Sequence, residues 1–132
     1  MAIKVVKFGG SSLADAGQIK KAAAIIKSDA NRRYVVPSAP GKRFSDDIKV
    51  TDMLYACYEK AALGEDFSQD FENIKKRYND IIADLGLTLS LEEQFQQIKA
   101  NLAHAGREYA ASRGEYLNGI AIAAYLGFTF ID

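Results

Sequence analysis

Apolar positions along the chain follow two rhythms. Ile3, Val5, Val6 and Phe8 make a short, largely β-branched run, which predicts a buried parallel-type strand over residues 3–8. From Asp15 to Ser28, Ile19, Ala22, Ala23 and Ile26 recur at helical spacing while Lys20, Lys21 and Lys27 turn outward. Asn31-Arg32-Arg33 breaks that pattern. Tyr34-Val35-Val36 predicts a second strand, ended by Pro37, which has no N–H to give a ladder. Lys49-Val50-Thr51-Asp52 leads into a helix with Leu54, Cys57, Tyr58 and Ala61 on one side and Gly64 at its close. Phe71, Ile74, Tyr78, Ile81 and Leu85 step by three and four up to Gly86, the clearest helix of the chain. Ser90 and Glu93 have capping-box spacing ahead of the stripe Leu91, Phe95, Ile98 and Leu102. Ser112-Arg113-Gly114-Glu115 is expected to start the last helix, apolar nearly all round from Leu117 to Leu126 and therefore buried on most sides. After Gly127, Phe128-Thr129-Phe130-Ile131 predicts a third strand.

Strands alternating with helices predict an α/β protein. A parallel sheet usually has several strands and both faces covered, and three strands against about five helices is too few. The pattern reads as the first part of a larger α/β domain. The middle helices have strongly polar outer faces and no Gly-rich site, so they read as a cover or an association surface.

Composition narrows the class. The 132 residues are 48% hydrophobic and 11% aromatic, enough for one domain with a core. Seventeen basic residues balance seventeen acidic ones, so no net field draws nucleic acid or an anionic membrane. Cys57 is the only cysteine, which forbids an internal disulfide and fits a reducing compartment. No apolar run is long enough to span a bilayer, and a strand starting at Ile3 leaves no room for a signal peptide. A cytoplasmic protein is expected.

The chemistry concentrates after the first strand, in Lys7-Phe8-Gly9-Gly10-Ser11-Ser12. Glycine lets the backbone approach a bulky anion, and outward N–H groups at such a turn carry partial positive charge. With the full charge of Lys7, this geometry suits a phosphate. It is neither a Walker A loop nor a dinucleotide fingerprint. A plain tight turn is the bland alternative, with Ser12 as its initiator or a helix cap. The loop Pro37-Ser38-Ala39-Pro40-Gly41-Lys42-Arg43 leaves the carboxyl end of the other strand, where open α/β sheets bind ligands. Two such loops side by side make one crevice.

Four segments in register carry a resemblance across essentially the whole chain: Lys7 to Ser12, Val35 to Gly41, Val50-Thr51-Asp52, and Ser112 to Glu115 with the helix behind it. Together they resemble the N-terminal part of aspartate kinases of the amino-acid kinase family. The resemblance implies a three-layer αβα sandwich with a mostly parallel sheet. Residues 1–132 would be the N-terminal portion of the kinase domain, with a helical segment at about 52–111 and with the nucleotide half and regulatory domains absent. It implies the reaction of ATP and L-aspartate, with Mg²⁺, to 4-phospho-L-aspartate and ADP, which opens lysine, threonine and methionine biosynthesis, in a homo-oligomer. Carried over by position, Lys7 contacts the transferring phosphoryl group; Gly9, Gly10 and Ser11 cradle phosphate; Ser38, Thr51 and Glu115 hold the amino acid. Glu115 supplies the anion that a substrate ammonium needs. Ser11 stands where the family often has Thr, and both offer a hydroxyl.

Each role has a plainer reading. Lys7 can snorkel from a strand end; Ser112 and Glu115 match a capping box; Thr51 can be an N-cap; Asp52 complements a helix dipole. His104 reads as a surface residue and Cys57 as core. Lys42 and Arg43 flank the crevice as solvated loop charges. A kinase of glutamate or acetylglutamate is the nearest competitor, and the Ser-Arg-Gly-Glu run favours aspartate. A non-catalytic assembly module with an open sheet edge is the competitor from another class. With only part of an active site, these 132 residues alone are expected to be inactive as a kinase.

Overall fold

The computed structural model describes residues 2–132. Strands β1 (Lys4–Phe8) and β2 (Arg32–Pro37) pair in parallel, joined by the right length of chain for a helical crossover, α1 (Ala16–Lys27). Four helices follow: α2 (Val50–Ala62), α3 (Ser68–Asp84), α4 (Glu92–Ala105) and α5 (Arg107–Leu126). The α/β class and the parallel pairing are as the sequence predicts.

Two apolar cores share α5. Its C-terminal half, with Ile122 and Leu126, packs with Leu13, Ile19 and Ile26 over the inner face of the sheet, against Val6, Phe8 and Val35. Another side of the helix, with Ala110, Leu117 and Ala121, closes a helical core of Leu54, Cys57, Phe71, Tyr78, Phe95 and Leu102. Burial on both sides explains why α5 is apolar almost all round. Among the described residues no helix is long and apolar enough to cross a membrane.

Several sequence expectations are corrected. β1 is not a buried strand. Val5 is 66% exposed and Tyr34, beside it in register, 54%, because helices cover only one face of the sheet. Residues 128–131 form no strand. An open groove of about 1040 Å³ lies between them and β2, so no ladder satisfies their backbone. Phe130 instead lies edge-on to Tyr116, ring centroids 5.7 Å apart, over the notch left by Gly119.

The last helix starts at Arg107, not Ser112. Gly106, at φ 96°, makes the break between α4 and α5, a conformation that suits a residue without a Cβ. The capping-box spacing of Ser112 and Glu115 falls mid-helix, where the Ser112 hydroxyl donates to the Tyr109 carbonyl at 2.8 Å. Thr51 is no N-cap either. Lys49 holds that position, and the Val50 amide donates to the Pro40 carbonyl at 3.0 Å. Ser90 accepts from the Glu92 amide at 3.3 Å, one residue earlier than a capping box requires. Asp15 does cap α1, accepting from the Gln18 amide at 2.9 Å. A 3-10 turn over Gly10–Leu13, carrying no periodic signal, joins β1 to α1.

Candidate functional site

The loops that leave β1 and β2 touch through their glycines. The Ser38 amide donates to the Phe8 carbonyl at 3.2 Å, carrying the parallel pairing one step past the sheet. Next, the Gly41 amide donates to the Gly10 carbonyl at 2.8 Å. A Cβ on Gly41 would stand 2.6 Å from the Gly10 carbonyl carbon and 2.8 Å from the Ser11 amide nitrogen, so only glycine fits. Gly9 has nothing within 4 Å of the place where a side chain would be. That side of the turn is therefore open.

The second loop is joined to α5 and α2. Asn118, fully buried, donates from Nδ2 to the Ser38 carbonyl at 2.8 Å. A Cβ on Gly114 would lie 2.7 Å from Ala39 Cβ, so a residue without a side chain is what lets α5 come this near. Val50 opens α2 on the Pro40 carbonyl. The elements carrying Gly9, Gly10 and Ser11, Ser38, Thr51, and Glu115 therefore converge. Ser38 and Thr51 are half-buried, and Glu115 is exposed along the open groove. Lys7 pairs in register with Val36 and shares the uncovered sheet face with Val5 and Tyr34. It is exposed and makes no ion pair among the described residues. No hydrogen bond or ion pair links Lys7 to Glu115 among those residues.

Two buried residues of α3 hold this arrangement: Arg77, which the sequence reading passed over, and Tyr78, which it placed in the apolar stripe. Arg77 is 4% exposed. Its Nη1 donates to the Ile48 carbonyl at 2.9 Å, and its Nη2 donates to the Ala14 carbonyl at 3.1 Å and to the Gly41 carbonyl. Beside it, the Tyr78 hydroxyl donates to the Gly114 carbonyl at 2.8 Å. A signal for Arg77 was present, since it falls three residues after Ile74 and four before Ile81, inside the apolar stripe. A cation there needs buried acceptors.

The segment between Gly41 and Val50 folds on Asp47. Its carboxylate accepts from the Arg43 amide, Nε and Nη2 at 3.0, 2.6 and 2.9 Å. These bonds from Arg43 hold the Asp47 carboxyl well below the usual range. Burial lowers the Arg77 guanidinium from its ordinary value and pushes the Cys57 thiol up to about 12. Among the described residues no group of three or more His, Cys, Asp or Glu side chains could hold a metal ion.

Comparison with known proteins adds family membership. The model of the amino acid kinase family matches residues 2–129. Aspartokinase 3 of Bacillus subtilis is 37% identical over 133 residues, covering 96% of this chain and 29% of that protein. The crystal structure of Clostridium acetobutylicum aspartate kinase superposes with a TM-score of 0.92 at 48% identity, over 96% of this chain and 30% of the other. The structure of E. coli aspartokinase III in complex with aspartate and ADP has a TM-score of 0.73 at 28% identity, over 95% and 29%. The chain thus spans under a third of the length of these relatives. It belongs to the amino acid kinase family.

Proposed function

We propose that these residues are the phosphate-side and amino-acid-side half of an aspartate kinase site, in a protein that transfers the γ-phosphoryl group of ATP to the side-chain carboxylate of L-aspartate. The observation that carries the reading is a pair of close approaches on one loop, Gly41 against Gly10 and Ala39 against Gly114, with Val50 also beside Gly114, which bring the four motif segments together. Likeness to aspartate kinases, one of them holding aspartate and ADP, supports it.

A carboxylate oxygen of aspartate attacks the γ-phosphorus, the bond to the ADP oxygen breaks, and 4-phospho-L-aspartate and ADP leave. Phosphoryl transfer depends mainly on alignment and on neutralising charge. Gly9 and Gly10 offer bare amides to phosphate oxygens, with the Ser11 hydroxyl beside them. Lys7 supplies a mobile cation for the transferring group. Glu115 pairs with the substrate ammonium, while Ser38 and Thr51 fix its polar groups without adding charge. Mg²⁺ bound with the nucleotide would help neutralise charge on its phosphates. This step opens lysine, threonine and methionine biosynthesis, and the setting it implies is a cytoplasmic homo-oligomer.

Nucleotide-pocket residues and regulatory domains would come from outside the 132 residues, so this chain alone should release no ADP in response to aspartate. The deciding experiment is a coupled ADP-release assay of the enzyme at the full length of its relatives, with aspartate, glutamate and acetylglutamate in turn. Turnover with aspartate is expected. Turnover only with one of the other two, or with none, overturns the assignment.

A further inference from the structure

Outside the motif segments, helix α3 carries two buried polar side chains, Arg77 and Tyr78. It holds no proposed site residue, yet its Arg77 and Tyr78 donate to carbonyls just after the Gly10–Ser11 turn, in the Ser38 loop, just before α2 and at Gly114. We propose that Arg77 is a positioning residue for phosphoryl transfer, its planar fork setting the spacing between the turn that cradles phosphate and the loop and helix that hold the amino acid. The proposal rests on the aspartate kinase reading above.

The three carbonyls it holds are not equivalent. Ala14 follows the 3-10 turn that carries Gly10 and Ser11. Gly41 lies in the loop of Ser38 and against Gly10. Ile48 comes two residues before α2, whose first turn carries Thr51. One guanidinium thus spans three pieces of the site, and Tyr78 reaches the fourth at Gly114, next to Glu115. A guanidinium is rigid and planar, so bonds to three backbones fix their mutual distance.

Desolvating a guanidinium is expensive, and donation to three backbone carbonyls offsets that cost. Asp47, the carboxylate within ion-pair range, lies 3.8 Å away and spends its oxygens on Arg43. The Arg77 bonds go to backbone instead, and backbone position is what transfer between two bound substrates depends on. A displacement of about 1 Å between reacting groups can lower a rate about 100-fold.

The test uses Arg77→Met and Arg77→Lys in the full-length enzyme, with Arg107→Met as an exposed-arginine control. In Arg77→Met, kcat should fall about 100-fold at saturating ATP and aspartate, with each KM within about threefold of wild type. Millimolar guanidinium should restore part of that kcat and leave the control unchanged. Arg77→Lys, which keeps the charge without the fork, should fall between, and it decides the matter if the methionine variant does not fold. A variant with a lowered unfolding midpoint and wild-type kcat below that midpoint would show a purely structural role and overturn the proposal. Wild-type enzyme lacking aspartate-dependent turnover would instead overturn the functional reading, so the two failures are separable.

Discussion

Gly10 and Gly41 lie backbone against backbone, the amide of one on the carbonyl of the other at 2.8 Å. No Cβ fits on Gly41, and the atoms in the way are main chain, which cannot rotate aside. Gly41→Ala should therefore destabilise by about 1–3 kcal/mol through overpacking. Gly17→Ala, in α1 with only ordinary van der Waals contact awaiting its methyl, should be neutral or stabilising by up to about 1 kcal/mol. Urea unfolding of the two variants checks the contrast. Equal midpoints would mean that the two loops yield easily.

A second tight approach gives a cycle. Gly114→Ala drives a methyl against Ala39 and should also be destabilising. Adding Ala39→Gly removes the obstruction, so the double variant should regain a large part of the loss. Additive effects in the same unfolding measurement would show that the 2.7 Å approach is relieved elsewhere.

Function should divide between the two charged groups. In the full-length enzyme, Lys7→Met should lower kcat about 100- to 1,000-fold, the scale of losing one donor to developing charge. Glu115→Gln should leave ATP binding near wild type and raise the KM for aspartate about 10- to 100-fold, as loss of a charge-assisted bond does. Steady-state kinetics with each substrate varied separates the two. A raised KM for ATP in the Glu115 variant would remove Glu115 from the amino-acid side.

Alkaline pH probes the helical core. Cys57 is fully buried, and desolvation pushes its thiol up to about 12, against about 8.5 in an unfolded chain. Between these values the unfolded state gives up a proton that the folded state keeps. The contribution is complete below about pH 8.5 and is lost as pH rises toward 12, by at most about 1.4 kcal/mol per pH unit. Tyr78, raised by the same burial, acts in the same direction at higher pH. Cys57→Ala should flatten the fall between pH 8.5 and 10. Native protein should also resist a thiol reagent until it unfolds.

The uncovered sheet face has its own consequence. Val5, Tyr34 and Val36 stand exposed on the two strands, with Ile3 exposed just before β1. The isolated 132-residue chain should self-associate, and Val5→Lys should suppress this. Sedimentation velocity across a concentration series reads the outcome. A monodisperse monomer throughout would show that the face is tolerated in water.

Periodicity alone determined the order of β1, α1, β2 and the helices after them. Local rhythm reports which side of an element is apolar, as in Phe71, Ile74 and Tyr78 on α3. The Gly-rich turn and the four motif segments were equally legible, because residue types at short spacing specify local backbone. Tertiary structure decided the rest. Residues 128–131 have strand composition and no ladder, since pairing needs a neighbour that spacing cannot supply. Ser112 and Glu115 have cap spacing and sit mid-helix, because Gly106 makes the turn before them. Arg77 stood inside the apolar stripe of α3, and spacing alone did not say what it would meet. Its importance depends on three carbonyls from distant parts of the chain, and the geometry of a planar cation with buried acceptors exists only once the chain has folded around it.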